Sequence, residues 1–196
     1  KRPVKEFTLV VKDSTIEIAP GVKEDVWAYG LEGGPVSVPG PTIRVNEGDF
    51  VRVYFKNTHR YGHTIHFHGL HTPFHSDGVP GISQNEVEPG EVFIYEFVAD
   101  RPGTHMYHCH VDTVNHIDMG MYGAFIVVPK EEPYKVDRDL VWFLDEWAIH
   151  NKEGMEDDYN YFTINSVAWP KLDAAIGGVK QGEKIRVRLI NIGYMN

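Results

Sequence analysis

The single cysteine in this chain of 196 residues sits between two histidines, at His108-Cys109-His110. In an extended strand, successive side chains leave on opposite faces. His108 and His110 therefore share one face, and Cys109 takes the other. A lone cysteine ordinarily packs as a small hydrophobe, but two imidazoles beside a thiol are costly to place in an apolar core. A metal gives all three a reason to be there. With one cysteine, an intrachain disulfide is excluded.

The surroundings of that tripeptide sharpen the reading. His105, His116, Met119 and Met121 crowd around it, and a second cluster lies upstream at His63-Thr-Ile-His66-Phe-His68-Gly69. Thiolate, imidazole and thioether together are ligands suited to copper. Strand parity sorts them into two groups: Cys109 with His63, and His66, His68, His108 and His110. His116 and a methionine follow Cys109 on a stretch that can fold back, with Met121 and Met119 as competing candidates. A His₂Cys set with a weak axial methionine is the blue-copper electron-transfer arrangement, whereas the bland role for either methionine is core packing. Four imidazoles in two pairs suit copper ions that bind and reduce oxygen. Zinc is the alternative for that group, since imidazole suits it equally. A structural zinc, however, would not need a cysteine aimed at a neighbouring redox-type site.

The rest of the chain reads as all-β. Phe7–Val11 and Ser14–Ile18 alternate like two strands of a hairpin, followed by Val26–Tyr29, Thr42–Val45, Phe50–Asn57, Val92–Val98, Thr104–His110 and Gly123–Val128. Gly and Pro punctuate these runs, as expected of a sandwich or barrel. Pro129–Val136 reads as a linker. Beyond it, Asp139–Leu144 is a buried strand, 150–160 a charged loop, and Gly182–Asn191 an alternating strand. Val45–Asn57 resembles Val179–Asn191: in both, a Gly turn precedes an alternating strand that ends in Asn. The expected division is thus a first domain over 1–130 and the N-terminal part of a second over 137–196. The histidine cluster starts six residues past Asn57, and the sequence stops five past Asn191. The second domain is therefore expected to be incomplete.

Composition excludes several classes. The apolar fraction of 42% supports a packed core. A formal charge of −9, without any Lys/Arg run, argues against a nucleic-acid surface. No apolar run approaches the roughly 20 residues of a membrane span. No signal-peptide pattern opens the chain, as fits either a processed secreted protein or a cytosolic one.

Pro39-Gly-Pro-Thr-Ile-Arg-Val-Asn-Glu-Gly-Asp49, His66-Phe-His-Gly69, Ser76-Asp-Gly-Val-Pro-Gly81 and His108-Cys-His110 with His116 and Met121 together resemble the multicopper oxidases. The likeness is to laccase-like members of the two-domain type with type 1 copper in domain 1. The resemblance implies a cupredoxin-like Greek-key β-sandwich. It implies type 1 copper on His63, Cys109, His116 and Met121, type 2 copper on His66, and the type 3 pair on His68, His108 and His110. Asp77, in the Asp-Gly turn, would deliver protons near the trinuclear site; its simpler role is turn formation. The Cys109–His116 step is two residues longer than is usual in laccases. The family's trinuclear cluster uses eight histidines, four from each of two domains, here shared within a homotrimer. His59, His71, His75, His105 and His150 are expected to be loop or surface residues, with His71 and His75 near substrate access. The implied activity is one-electron oxidation of a phenolic, metal-ion or protein reductant coupled to reduction of dioxygen to water. Copper nitrite reductase is one rival, although it needs no histidine after the cysteine; a non-enzymatic type 1 electron carrier is the other. The implied location is periplasmic or extracellular, with neither nucleic acid nor membrane as partner.

Overall fold

A computed structural model describes residues 3–149, 159–172 and 177–193. Strands dominate it: β1 (Val4–Ala19), β2 (Val22–Leu31), β3 (Val36–Ser37), β4 (Gly40–Asn46), β5 (Phe50–Lys56), β6 (His66–His68), β7 (Val92–Val98), β8 (Gly103–His108), β9 (Tyr122–Val128), β10 (Arg138–Trp147), β11 (Tyr161–Ile164) and β12 (Ile185–Asn191). A short helix, α1 (Thr113–Asp118), and a 3₁₀ turn at Phe74–Ser76 lie among them. The two runs expected as a hairpin at 7–18 form the single strand β1, which lies between β2 and β5 in its sheet. The reversal falls at Pro20-Gly21, where Gly21 has φ +76°, instead of at Asp13.

Two compact units result, one of residues 1–14 and 26–133, the other of 15–25 and 134–196. The first is a two-sheet sandwich, with strand orders β3-β2-β1-β5-β7 and β4-β9-β8-β6. Alternation decides its faces. In β5, Val51, Val53 and Phe55 are fully buried, while Arg52, Tyr54 and Lys56 face outward. Phe67, Tyr107 and Phe125 of the second sheet complete the same core with Tyr95 and Phe97 of the first. Burial of such side chains contributes roughly 1.5–3 kcal/mol each. On the outer face, Arg52 pairs with Glu96 at 2.6 Å and Glu6 at 2.7 Å. Partly exposed pairs of this kind add at most about 1 kcal/mol.

The second unit holds the sheet β11-β10-β12. Its β10 pairs in parallel with β12, as β1 pairs in parallel with β5, so the two strands of the sequence repeat occupy like positions. The far end of the β1–β2 ribbon belongs to this unit, where the Ala168 amide donates to the Ile18 carbonyl at 2.8 Å.

Candidate metal centres

Register brings the histidines together. β6 runs antiparallel to β8, with His66 opposite His108, Phe67 opposite Tyr107, and His68 opposite Met106. Directly opposed residues in such a ladder have Cβ atoms about 4.5–5.5 Å apart. Parity then buries Phe67 and Tyr107 in the core and leaves His66 and His68 on the other face. The ligand atoms of His66, His68 and His108 lie within 4.8 Å of one another. His110 joins them less tightly: its ring stands 5.3 Å from that of His66 and 5.9 Å from that of His108.

Hydrogen bonds select which ring nitrogen each histidine offers. His66 Nδ1 donates to the Asp77 carbonyl at 2.6 Å, and His108 Nδ1 donates to the Cys109 carbonyl at 2.9 Å. A carbonyl only accepts, so both rings carry the proton on Nδ1 and present a bare Nε2. The Asp77 carbonyl is positioned by a close approach at Gly78. A Cβ there would meet the Ile65 carbonyl oxygen at 2.0 Å, and φ is +79°, so only glycine fits. The Asp77 carboxylate lies 3.5 Å from His66 Nδ1 and accepts from the Thr72 hydroxyl at 3.1 Å.

On the opposite face of the His108–His110 segment a second group converges. Cys109 Sγ lies 3.1 Å from His116 Nδ1 and 3.6 Å from His63 Nδ1, and those two nitrogens are 3.3 Å apart. Donors spaced in this way suit one metal ion about 2.0–2.3 Å from each. All three residues are buried. Burial, followed by the neighbouring His116 and His59 rings, drives the His63 pKa down to about 3. Burial likewise drives His108 down to about 4 and pushes the Cys109 thiol up to about 11. The imidazoles are thus neutral and ready to ligate, and the thiol must lose its proton to a metal.

His116 sits on α1, within the stretch after Cys109 that was expected to fold back. Asp112 precedes the helix in the left-handed conformation, φ 41°, and Asn115 Nδ2 donates to its carboxylate. Met121 is 0% exposed, its amide donating to the His116 carbonyl and its carbonyl accepting from the Cys109 amide. Met119 is half-buried, and its carbonyl accepts from the Trp27 amide.

Other histidines divide. His71 and His75 are exposed, while His105 donates from Nε2 to the Arg101 carbonyl. His150 and the charged loop through residue 158 lie outside the described residues. His59 departs from expectation: it is 5% exposed, and its Nδ1 lies 2.8 Å from His63 Nε2. The loop that places it is tied by Asn57, which bonds to the His59 amide and to the Tyr61 and Val87 carbonyls. Trp27 also escaped the sequence reading. Its ring lies 5.1 Å from that of His116 and 5.1 Å from that of Tyr61. The spacing of His59 four residues before His63 was the one legible signal for the first; Trp27 carried none.

Comparison with known proteins agrees with this geometry. The multicopper oxidase family model matches residues 10–132. An L-ascorbate oxidase of Cucurbita pepo var. melopepo is 40% identical over 145 residues, covering 69% of this chain and 25% of that protein. A solved multicopper oxidase superposes with a TM-score of 0.87 at 38% identity, covering 100% of this chain and 65% of the other. A copper nitrite reductase of Nitrosomonas europaea gives a TM-score of 0.77 at 28% identity, covering 97% of this chain and 68% of the other. The folded units and the Cys–His donor groups define a copper protein of the cupredoxin class. The chain belongs to the multicopper oxidase family. It spans about a quarter of the length of the L-ascorbate oxidase it matches.

Proposed function

We propose that this chain is the type 1 copper part of a laccase-like oxidase. In this reading His63, Cys109, His116 and Met121 hold type 1 copper, and His66, His68, His108 and His110 supply half of a trinuclear site. Bound copper would take electrons singly from a reductant at the first group and reduce dioxygen to water with four electrons and four protons at the second. The observation that carries the reading is the position of Cys109. Its sulfur faces one donor group at 3.1–3.6 Å, while its neighbours His108 and His110 belong with the other. The chain thereby gives each group a covalent connection one peptide link long to the other.

Other residues have defined parts. The Asp77 carboxylate, 39% exposed and 3.5 Å from His66, is suited to pass protons from solvent toward the second group. Thr113 Oγ1 lies 3.3 Å from His110 Nδ1 and so orients that ring. His68 is exposed and His66 and His110 are half-buried, which leaves the second group open to imidazoles from another domain or subunit. A homotrimer that supplies them, a phenolic, metal-ion or protein reductant, and a periplasmic or extracellular location belong to the same proposal and rest on the family resemblance.

The nitrite reductase reading is weakened by His110, a histidine after the cysteine that such a site does not need. The carrier reading differs from the oxidase in metal content. Copper analysis and oxygen uptake with a phenolic reductant, on the assembled protein, test the choice. About four coppers per site-bearing unit with oxygen consumed supports the oxidase; one copper and no uptake overturns it in favour of the carrier.

A further inference from the structure

The nitrogen of His63 that faces away from Cys109 leads through the buried His59 to the exposed carboxylate of Asp13. His63 Nε2 lies 2.8 Å from His59 Nδ1, and His59 Nε2 lies 3.2 Å from the Asp13 carboxylate. Asp13 is in turn held by Arg60 at 2.6 Å. His59 is caged as well as bonded: its ring is stacked on that of His63 at 5.0 Å and lies 5.0 Å from that of Trp27.

The proton positions follow from the end of the chain. A carboxylate only accepts, so His59 carries its proton on Nε2. In a neutral ring, Nδ1 of His59 is then an acceptor, and His63 Nε2–H must be its donor. His63 Nδ1 is left as the bare nitrogen, the one that faces Cys109 Sγ and His116. Asp13 therefore fixes, through two rings, that the nitrogen of His63 facing the donor group is the one without a proton.

We propose that His59 is a positioning residue for His63, anchored by Asp13, and that this chain sets the donor strength of His63 toward the type 1 copper. The inference rests on the type 1 reading above. A ligating imidazole that donates its remote N–H to an acceptor becomes more basic. A more basic donor favours the oxidised ion, so the native chain holds the reduction potential down.

The test is the potential of the copper-loaded chain, measured with its visible and electron paramagnetic resonance spectra. His59→Phe keeps a ring of similar size but accepts no hydrogen bond. It should shift the one-electron equilibrium toward reduced copper about tenfold, which is about 59 mV. His59→Gln, whose amide oxygen can accept from His63 and whose amide nitrogen can reach Asp13, should restore most of the native potential. Asp13→Ala should shift it in the same direction as His59→Phe by a smaller amount, because the Asp13 side chain is 58% exposed and water can replace it. A blue chain whose potential is unmoved by His59→Phe, or in which His59→Gln moves it as far, overturns the inference alone. Where His59→Phe does not fold, an unchanged potential in Asp13→Ala has the same consequence. Absence of the blue band from the unsubstituted copper-loaded chain overturns the type 1 reading, and the inference with it.

Discussion

His66 and His108 stand directly opposite each other in the antiparallel ladder between β6 and β8. Both are oriented by carbonyls, of Asp77 and Cys109, so that each presents Nε2 on the same face of the sheet. A slip of one residue in this register would send one of the two rings into the core. The packing of Phe67 and Tyr107 against the sandwich interior prevents that slip.

The thiolate of Cys109 is the strongest electron donor in the first group. Cys109→Ser should abolish the intense blue absorption of the copper-loaded chain while copper bound by the His66, His68 and His108 group is retained. Visible spectra with metal analysis check this. A surviving blue band would show that the sulfur is not the ligand.

Asp77 lies close enough to His66 to serve it and is open enough to exchange protons with water. In the oxidase reading, Asp77→Asn should slow oxygen reduction by the assembled protein about 10²-fold and leave the blue band unchanged. Turnover equal to that of the native protein would reduce Asp77 to a turn residue.

The metal-free chain should be most stable between about pH 6.5 and pH 9. His63 and His108 titrate near 3 and 4 in the folded chain but near 6.5 when unfolded. Between those values the unfolded chain binds more protons, so stability is full above about 6.5 and falls as the pH falls. The slope is about 1.4 kcal/mol per pH unit for each of the two residues. Cys109 works in the opposite sense. Its folded value, about 11, lies above its ordinary 9.0, so its contribution is full below about 9 and is lost as the pH rises. Denaturant titrations from pH 4.5 to pH 10 measure both limbs, and a flat midpoint between pH 6.5 and 4.5 would contradict the first.

Gly78 supports the second donor group from behind. Gly78→Ala places a Cβ against the Ile65 carbonyl at a backbone conformation that alanine disfavours. We expect a loss of about 1–3 kcal/mol in unfolding free energy, together with weaker copper retention on the His66 side. Differential scanning calorimetry and copper competition read the two effects. A melting temperature equal to that of the native chain would mean that the turn relaxes without strain.

Much of this molecule was legible in its residues because the relevant period is two. The alternation in Phe50–Lys56 matches the buried and outward faces of β5, and the His-X-His and His-Cys-His triplets sorted their own side chains between two faces. What lay outside that period was missed. The helix carrying His116 occupies only six residues, too short for a periodic signal. The strand β1 continues through the point where a hairpin was expected, because the turn forms at Gly21 and not at Asp13.

Sequence alone determined that the side chain of Cys109 parts from those of His108 and His110, since covalent order and strand parity travel with the chain wherever it folds. Only the tertiary structure decided which distant partners those donors meet. The β6–β8 register set His66 against His108, Asn57 bent its loop so that His59 closed behind His63, and the Trp27 ring of β2 came to stand at right angles to that of His116 on α1. Those relationships depend on the packing of two sheets against one core, and local sequence carries no record of them.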